Sequence, residues 1–258
     1  MKIAIVGPGL IGRSVALAAR RAQTQNEIVE VDRDDSIDAL AGAAVIVLAT
    51  PVDVILERLR NVSEAFPDAV VLDTGSTKNA IVARAREARL GNFVGGHPMA
   101  GAASTGPDGA RADLFDGKTW FLVPGAATQA AAAVARDFVR SLGATPVLFD
   151  DDGGEHDRVM AAVSHLPQVV ASALMAVVGD AVGKPGLQCA GSGLRDMTRL
   201  AASRASVWES VLASNQAQLR PLLLTMADAL RGMADRLDDT ETVRRLFEVA
   251  AHHRRQLD

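Results

Sequence analysis

The stretch Lys2-Ile3-Ala4-Ile5-Val6-Gly7-Pro8-Gly9-Leu10-Ile11-Gly12 decides the fold. Lys2 to Val6 is a short β-rich run that passes straight into a glycine turn. It is too short for the apolar region of a secretion signal and reads as a first strand. Gly7-Pro8-Gly9-Leu10-Ile11-Gly12 fits G-x-G-x-x-G. Alone that string is a weak signal, but between a strand and a helix it becomes a dinucleotide-binding loop. The first glycine makes a tight turn, the second admits a pyrophosphate, and the third lets helix and strand pack closely. The helix that follows, Gly9 to Arg21, carries Leu10, Ile11, Val15, Ala18 and Ala19 on one side. Its N-terminus offers free N–H groups and a partial positive charge to phosphates. Gly7, Gly9, Leu10, Ile11 and Gly12 are therefore the expected cofactor contacts.

Outward from this loop, strands and helices alternate. Glu27 to Val31 reads as a second strand and leads to Asp32, 20 residues past Gly12. An acid there accepts hydrogen bonds from the ribose hydroxyls of NAD. The plainer reading of Asp32 is a solvated loop residue, since Asp34 and Asp35 follow. Arg33 would instead hold the 2′-phosphate of NADP, and NAD is the preferred cofactor. Ala44 to Ala49 is a continuous apolar run of the kind buried on both faces of a parallel sheet. Thr50-Pro51 ends it and is expected to line the same cleft. Further strands are expected at Ala69 to Leu72, Asn92 to Val94, Thr119 to Val123 and Thr145 to Phe149, with a helix from Lys78 to Arg89. The alternation implies right-handed βαβ units and a parallel sheet. Between Asp32 and Ala44 a full crossover helix barely fits, so the adenine side of the cleft should be open.

Beyond Gly154 only helical patterns occur: His156 to Gly179, Ser206 to Asp235 with a break near Pro221, and Glu241 to Gln256. The expected architecture is α/β, a Rossmann-type parallel-sheet domain over residues 1–152 followed by an all-α helical domain over 153–258. The chain has 258 residues and is 48% hydrophobic, enough for two modest cores. A net charge of −4 and the lack of tyrosine argue against a nucleic-acid footprint. Cys189 is the single cysteine, which excludes an internal disulfide and fits a reducing cytoplasm. No stretch reads as long and apolar enough to span a membrane, and no metal-ligand spacing stands out. The helices after Gly154 have more apolar face than one small bundle needs, so a homodimer is expected.

The chemistry is concentrated elsewhere. Gly95-Gly96-His97-Pro98-Met99-Ala100-Gly101 presents a histidine at a strand end, where it can exchange a proton near neutral pH. Upstream, Asp73-Thr74-Gly75-Ser76-Thr77-Lys78 offers Ser76, which could also simply cap the next helix. Lys78 reads as a surface or loop-bracing charge and Trp208 as core or dimer packing, while His156 before Asp157 either supports the site from behind or, the plainer reading, is a surface residue at a helix start. Arg195 and Arg199 are spaced to share one helix face.

Taken in order, the glycine loop, Ala49-Thr50-Pro51, the Asp73 to Lys78 segment and Gly96 to Gly101 resemble the prephenate/arogenate dehydrogenase family. Ser164-His165-Leu166-Pro167-Gln168 and Gly193-Leu194-Arg195-Asp196-Met197-Thr198-Arg199-Leu200-Ala201 are similar to its later motifs. The resemblance implies oxidative decarboxylation of prephenate or arogenate, with hydride transfer to NAD or NADP. By that analogy His97 is the base at the ring hydroxyl and Ser76 bonds the same hydroxyl. Arg199 anchors a carboxylate, and His165 and Arg195 face the substrate. Ala102-Ala103 stands where prephenate-type relatives often carry Thr-Glu, and the loop looks more like the arogenate type. Two rivals are a 3-hydroxyacid dehydrogenase or imine reductase of like architecture, and a non-catalytic NAD-binding sensor. The first would need a lysine that His156 to Gly179 lacks. The second would have no use for His97, Ser76 and Arg199 together.

Overall fold

The computed structural model describes residues 1–32, 35–101, 106–150 and 152–257. The readings on Arg33 and on the loop at Ala102-Ala103 lie outside the described residues. Seven strands form one sheet in the order β2-β1-β3-β4-β5-β6-β7. They are β1 (Lys2–Val6), β2 (Glu27–Val31), β3 (Val45–Leu48), β4 (Val70–Asp73), β5 (Phe93–Pro98), β6 (Thr119–Val123) and β7 (Thr145–Leu148). The strands β1, β3 and β4 are buried nearly throughout, as apolar runs of Val, Ile and Leu require when helices cover both faces. The helices are α1 (Leu10–Ala22), α2 (Val52–Ala65), α3 (Asn79–Glu87) and α4 (Gln129–Ser141). Two apolar layers result, one centred on Ile3, Ile5 and Phe138, the other on Ile46, Leu59 and Phe93. Among the described residues the crossover between β2 and β3 holds only a 3₁₀ turn, Ile37–Leu40, in keeping with the short connection.

The sheet departs from the expected all-parallel form at one place. β6 runs antiparallel to β5, with His97 opposite Phe121. The reason is local: β6 starts beside the end of β5, where the Met99 N–H donates to the Thr119 carbonyl at 2.8 Å, so the chain returns without crossing the sheet. β5 also continues through Pro98 instead of ending at Val94, which places His97 inside a paired strand.

After β7 the chain is helical: α5 (Gly154–Met160), a π-helical turn (Ala161–His165), α6 (Leu166–Leu187), α7 (Ser192–Met197), a 3₁₀ turn (Arg199–Ala202), α8 (Ala205–Ser214), α9 (Gln216–Ala234) and α10 (Thr240–Arg254). The break expected near Pro221 falls instead at Asn215, with φ −116° and ψ 23°. Pro221 sits inside α9, where it leaves only one helical carbonyl without its usual donor. Arg195 and Arg199 do not share an α-helix, because Thr198 (φ −106°, ψ 8°) ends α7 between them. Gly154 to Leu187 is a helical stretch of 34 residues kinked at Gly183 (φ 59°, ψ −175°), and its most apolar 18-residue window has mean hydropathy 1.6, long and apolar enough by length and composition to cross a membrane. That corrects the expectation of no such stretch. Its first half nevertheless buries His156, Asp157, His165 and Gln168 against the rest of the fold.

Candidate active site

The glycine loop is tight where the sequence demands it. Gly7 has φ +95°, and a side chain there would meet the Ala49 carbonyl and Thr50 Cγ2 at 2.8 Å. A Cβ on Gly12 would lie 2.1 Å from the Gly7 carbonyl oxygen. Gly9 differs, since a Cβ there would meet nothing within 4 Å. Its open side lies at the N-terminus of α1, which has no side-chain cap. Leu10 and Ile11 open the helix, and Thr50 and Pro51 lie at the end of β3 and the start of α2. Asp32 is exposed just after β2, its N–H donating to the Asp35 carboxylate at 2.7 Å. Beside it a cavity of about 290 Å³ is lined by Val6, Val31, Asp35, Leu40, Arg58 and Asn61. The backbone thus offers an anion-accepting helix end, which fits a dinucleotide phosphate.

The second cluster grows from Asp73 at the end of β4. Its carboxylate is fully buried and accepts from the Gly75 N–H at 2.7 Å, the Gly96 N–H at 2.9 Å and the Lys78 ammonium. Lys78 is itself completely buried, which removes the surface alternative for it and leaves that of a loop-bracing charge. Desolvation by burial lowers its pKa, against the opposing pull of Asp73. Gly96 is needed where it stands, since a Cβ would come within 2.4 Å of the Asp73 carbonyl oxygen. Ser76, half-buried, sits in the turn that Asp73 and Lys78 brace. It does not cap α3. That role belongs to Asp157 of α5, whose carboxylate accepts from the Lys78 N–H at 2.7 Å and the Asn79 N–H at 2.9 Å.

Asp157 also organises the histidines. Its Oδ1 lies 2.7 Å from His156 Nδ1, and His156 Nε2 lies 2.9 Å from His97 Nδ1. His156 is fully buried, with Phe121 and Phe149 packed edge-on against its ring, so the expectation of a surface residue is corrected. His97 is 8% exposed. Burial, followed by the neighbouring His156, Lys78 and His165, holds its pKa well below the usual range and keeps it neutral. His165 closes the π-helical turn against the half-buried Trp208, ring centres 5.9 Å apart. Burial lowers its pKa to about 4. Asn215, also buried, joins this group: its Nδ2 is 2.7 Å from the Asp157 carbonyl oxygen and 3.1 Å from His165 Nδ1.

The arginines stand apart from this buried core. Arg195 and Arg199 are exposed, and neither is in an ion pair among the described residues. The turn bearing Arg199 is tied to α6 by Gln168, whose Nε2 donates to the Leu200 carbonyl at 2.9 Å. Sequence reasoning missed the roles of Asp73, Asp157 and Asn215 and the burial of Lys78, and it preferred the surface reading of His156. The signal available was the His-Asp dipeptide at a helix start and a lysine five residues after an acid that ends an apolar strand.

Comparison with known proteins agrees with this construction. The family described as prephenate dehydrogenase, nucleotide-binding domain, matches residues 9–148, and prephenate dehydrogenase, dimerization domain, matches residues 152–250. The prephenate dehydrogenase of Lactococcus lactis is 34% identical over 237 residues, 83% of this chain and 65% of the relative, so the chain spans just under two thirds of that protein. The cyclohexadienyl dehydrogenase of Zymomonas mobilis is 32% identical over 247 residues, covering 86% of this chain and 83% of the relative. The crystal structure of Synechocystis arogenate dehydrogenase superposes with a TM-score of 0.80 at 29% identity, covering 99% of this chain and 100% of that one. An Aquifex aeolicus prephenate dehydrogenase complex with hydroxyphenyl propionate and NAD+ has a TM-score of 0.84 at 24% identity, over 100% of this chain and 98% of that one, and speaks for the shared fold. A glycine loop built to approach phosphates, a helical half that completes the buried histidine cluster, and these matches lead to one conclusion: the chain belongs to the prephenate dehydrogenase family.

Proposed function

We propose that this protein oxidises and decarboxylates prephenate or arogenate, a step of tyrosine biosynthesis, with NAD as hydride acceptor. The observation that carries the reading is His97, neutral and nearly buried, with Nδ1 engaged by His156 and Nε2 left as its second proton site. A histidine so held is a base at neutral pH. His97 takes the proton of the ring hydroxyl while the ring C–H leaves as hydride, and the ring carboxylate departs as carbon dioxide. The electrons of that broken bond aromatise the ring, and the proton returns to the new phenol oxygen. Bound NAD+ supplies the hydride acceptor.

The chain's own residues do the rest. Ser76, in the turn braced by Asp73 and Lys78, orients the hydroxyl. His165 donates to the substrate, and the planar fork of Arg199 binds a carboxylate, with Arg195 adding charge. Gly7, Gly9, Leu10, Ile11 and Gly12 hold the cofactor phosphates, Asp32 the ribose, and Thr50 and Pro51 the cleft wall. The exposed apolar residues Val163, Val177, Leu230 and Phe247 support a homodimer through the helical half, residues 153–258. The single exposed Cys189 suits the cytoplasm. The test is to supply NAD or NADP with prephenate or arogenate and follow the reduced cofactor. Turnover of one acid names the substrate, whereas cofactor binding without turnover of either rejects the reaction.

A further inference from the structure

We propose that His156 and Asn215 are positioning residues that fix the two histidines of the site in opposite tautomers, His97 with a bare Nε2 and His165 with an Nε2–H. Its catalytic consequence rests on the reaction proposed above, but the proton positions follow from donor and acceptor chemistry with one proton on each ring.

The tautomer of His165 is set by a carbonyl. The Asp157 backbone oxygen can only accept, so the atom of Asn215 lying 2.7 Å from it is the amide nitrogen. The same Nδ2 faces His165 Nδ1 at 3.1 Å, and that ring nitrogen must accept. A neutral ring whose Nδ1 accepts carries its proton on Nε2. His165 is therefore a neutral donor, suited to a substrate oxygen and not to proton abstraction.

The tautomer of His97 is set by a carboxylate. Asp157 Oδ1 accepts from the Lys78 N–H and lies 2.7 Å from His156 Nδ1, so that nitrogen donates. With its single ring proton held on Nδ1 by Asp157, His156 presents a lone pair on Nε2, 2.9 Å from His97 Nδ1, and His97 donates to it. Its Nε2 lone pair faces no competing donor among the described residues. When Nε2 takes a proton, the new imidazolium keeps its Nδ1–H on His156, with the Asp157 carboxylate behind. One residue thus feeds both branches, through its side chain to His97 and through its carbonyl to His165.

Histidine ¹⁵N–¹H correlation spectra of the full chain, at about pH 8 where neutral rings dominate, read the tautomers directly. The expected pattern is Nδ1–H for His97 and Nε2–H for His165. His156→Leu should release His97 into mixed tautomers and cut kcat at least about tenfold, with KM and cofactor affinity within about threefold. His156→Gln, whose amide oxygen can accept from His97, should recover most of that loss. Asn215→Leu should free His165 and raise KM more than it lowers kcat. An Nε2–H signal for His97 in the unaltered protein, or a His97 signal unchanged by His156→Leu, overturns the proposal. If either variant fails to fold, the spectrum of the unaltered protein decides. The predicted tautomers in a protein that turns over neither acid would reject the proposed reaction and leave this assignment standing.

Discussion

Lys78 and Asp73 form an ion pair from which both side chains are wholly withdrawn from solvent. Because the Asp73 carboxylate also accepts from Gly75 and Gly96, the pair joins the end of β4 to the Ser76 turn and to the strand bearing His97. Lys78→Met leaves that carboxylate buried without its cation. The expected loss is about 3–5 kcal/mol in urea unfolding, the usual consequence of orphaning one member of a buried pair. A loss below about 1 kcal/mol would show that the carboxylate is satisfied by its N–H donors alone.

The three loop glycines should respond differently to the same methyl group. Gly12→Ala places a Cβ 2.1 Å from the Gly7 carbonyl and should lower the thermal midpoint as well as cofactor affinity. Gly9→Ala meets open space and should fold normally while NAD binding weakens by about tenfold or more, about 1.4 kcal/mol. Calorimetry and a cofactor titration separate the two effects. Equal affinity in Gly9→Ala would place the phosphates elsewhere.

Asp157→Ala uncaps α3 by removing the acceptor of the Lys78 and Asn79 N–H groups. Losing the cap alone costs about 1–2 kcal/mol. Turnover should fall too, since His156 loses the carboxylate that holds it. Denaturant midpoints and steady-state rates measure both, and unaltered turnover would contradict the coupling.

Arg199→Ala should act on binding. It removes a contact to a carboxylate present in both the ground and transition states, so KM should rise about tenfold or more with kcat nearly unchanged. An unchanged KM would move the anchor to Arg195.

The buried histidines also set a pH dependence. His165 holds its proton only below about pH 4 in the fold, whereas an unfolded histidine titrates near its ordinary value of 6.5. A lowered folded pKa means that the unfolded chain binds more protons between these values. Stability is therefore full above about pH 6.5 and is lost as pH falls towards 4. His165→Phe should flatten that slope in urea midpoints measured from about pH 7 downward.

Most of the sheet half was legible because its signals are local. Apolar runs, short crossovers and a glycine loop specify a nucleotide-binding fold without reference to distant residues. What was illegible depended on contacts far apart in sequence. Lys78 and Asn79 owe their cap to Asp157, 79 and 78 positions away, and Asn215 reaches back 50 residues to His165. No periodicity records such pairings. The antiparallel β6 escaped for a related reason, because strand polarity depends on where the preceding loop ends, and composition is silent about that. The kink was misassigned to Pro221 because proline is the visible helix breaker, whereas Asn215 leaves the helix to satisfy buried groups.

The cap on α3 has a consequence for modularity. A helix of the sheet half is closed by a carboxylate that belongs to the helical half. The two halves follow one another in the chain, yet neither finishes its own polar groups. Heating should melt them together in a single cooperative transition, and grafting one half onto a different relative would succeed only if this junction travelled with it.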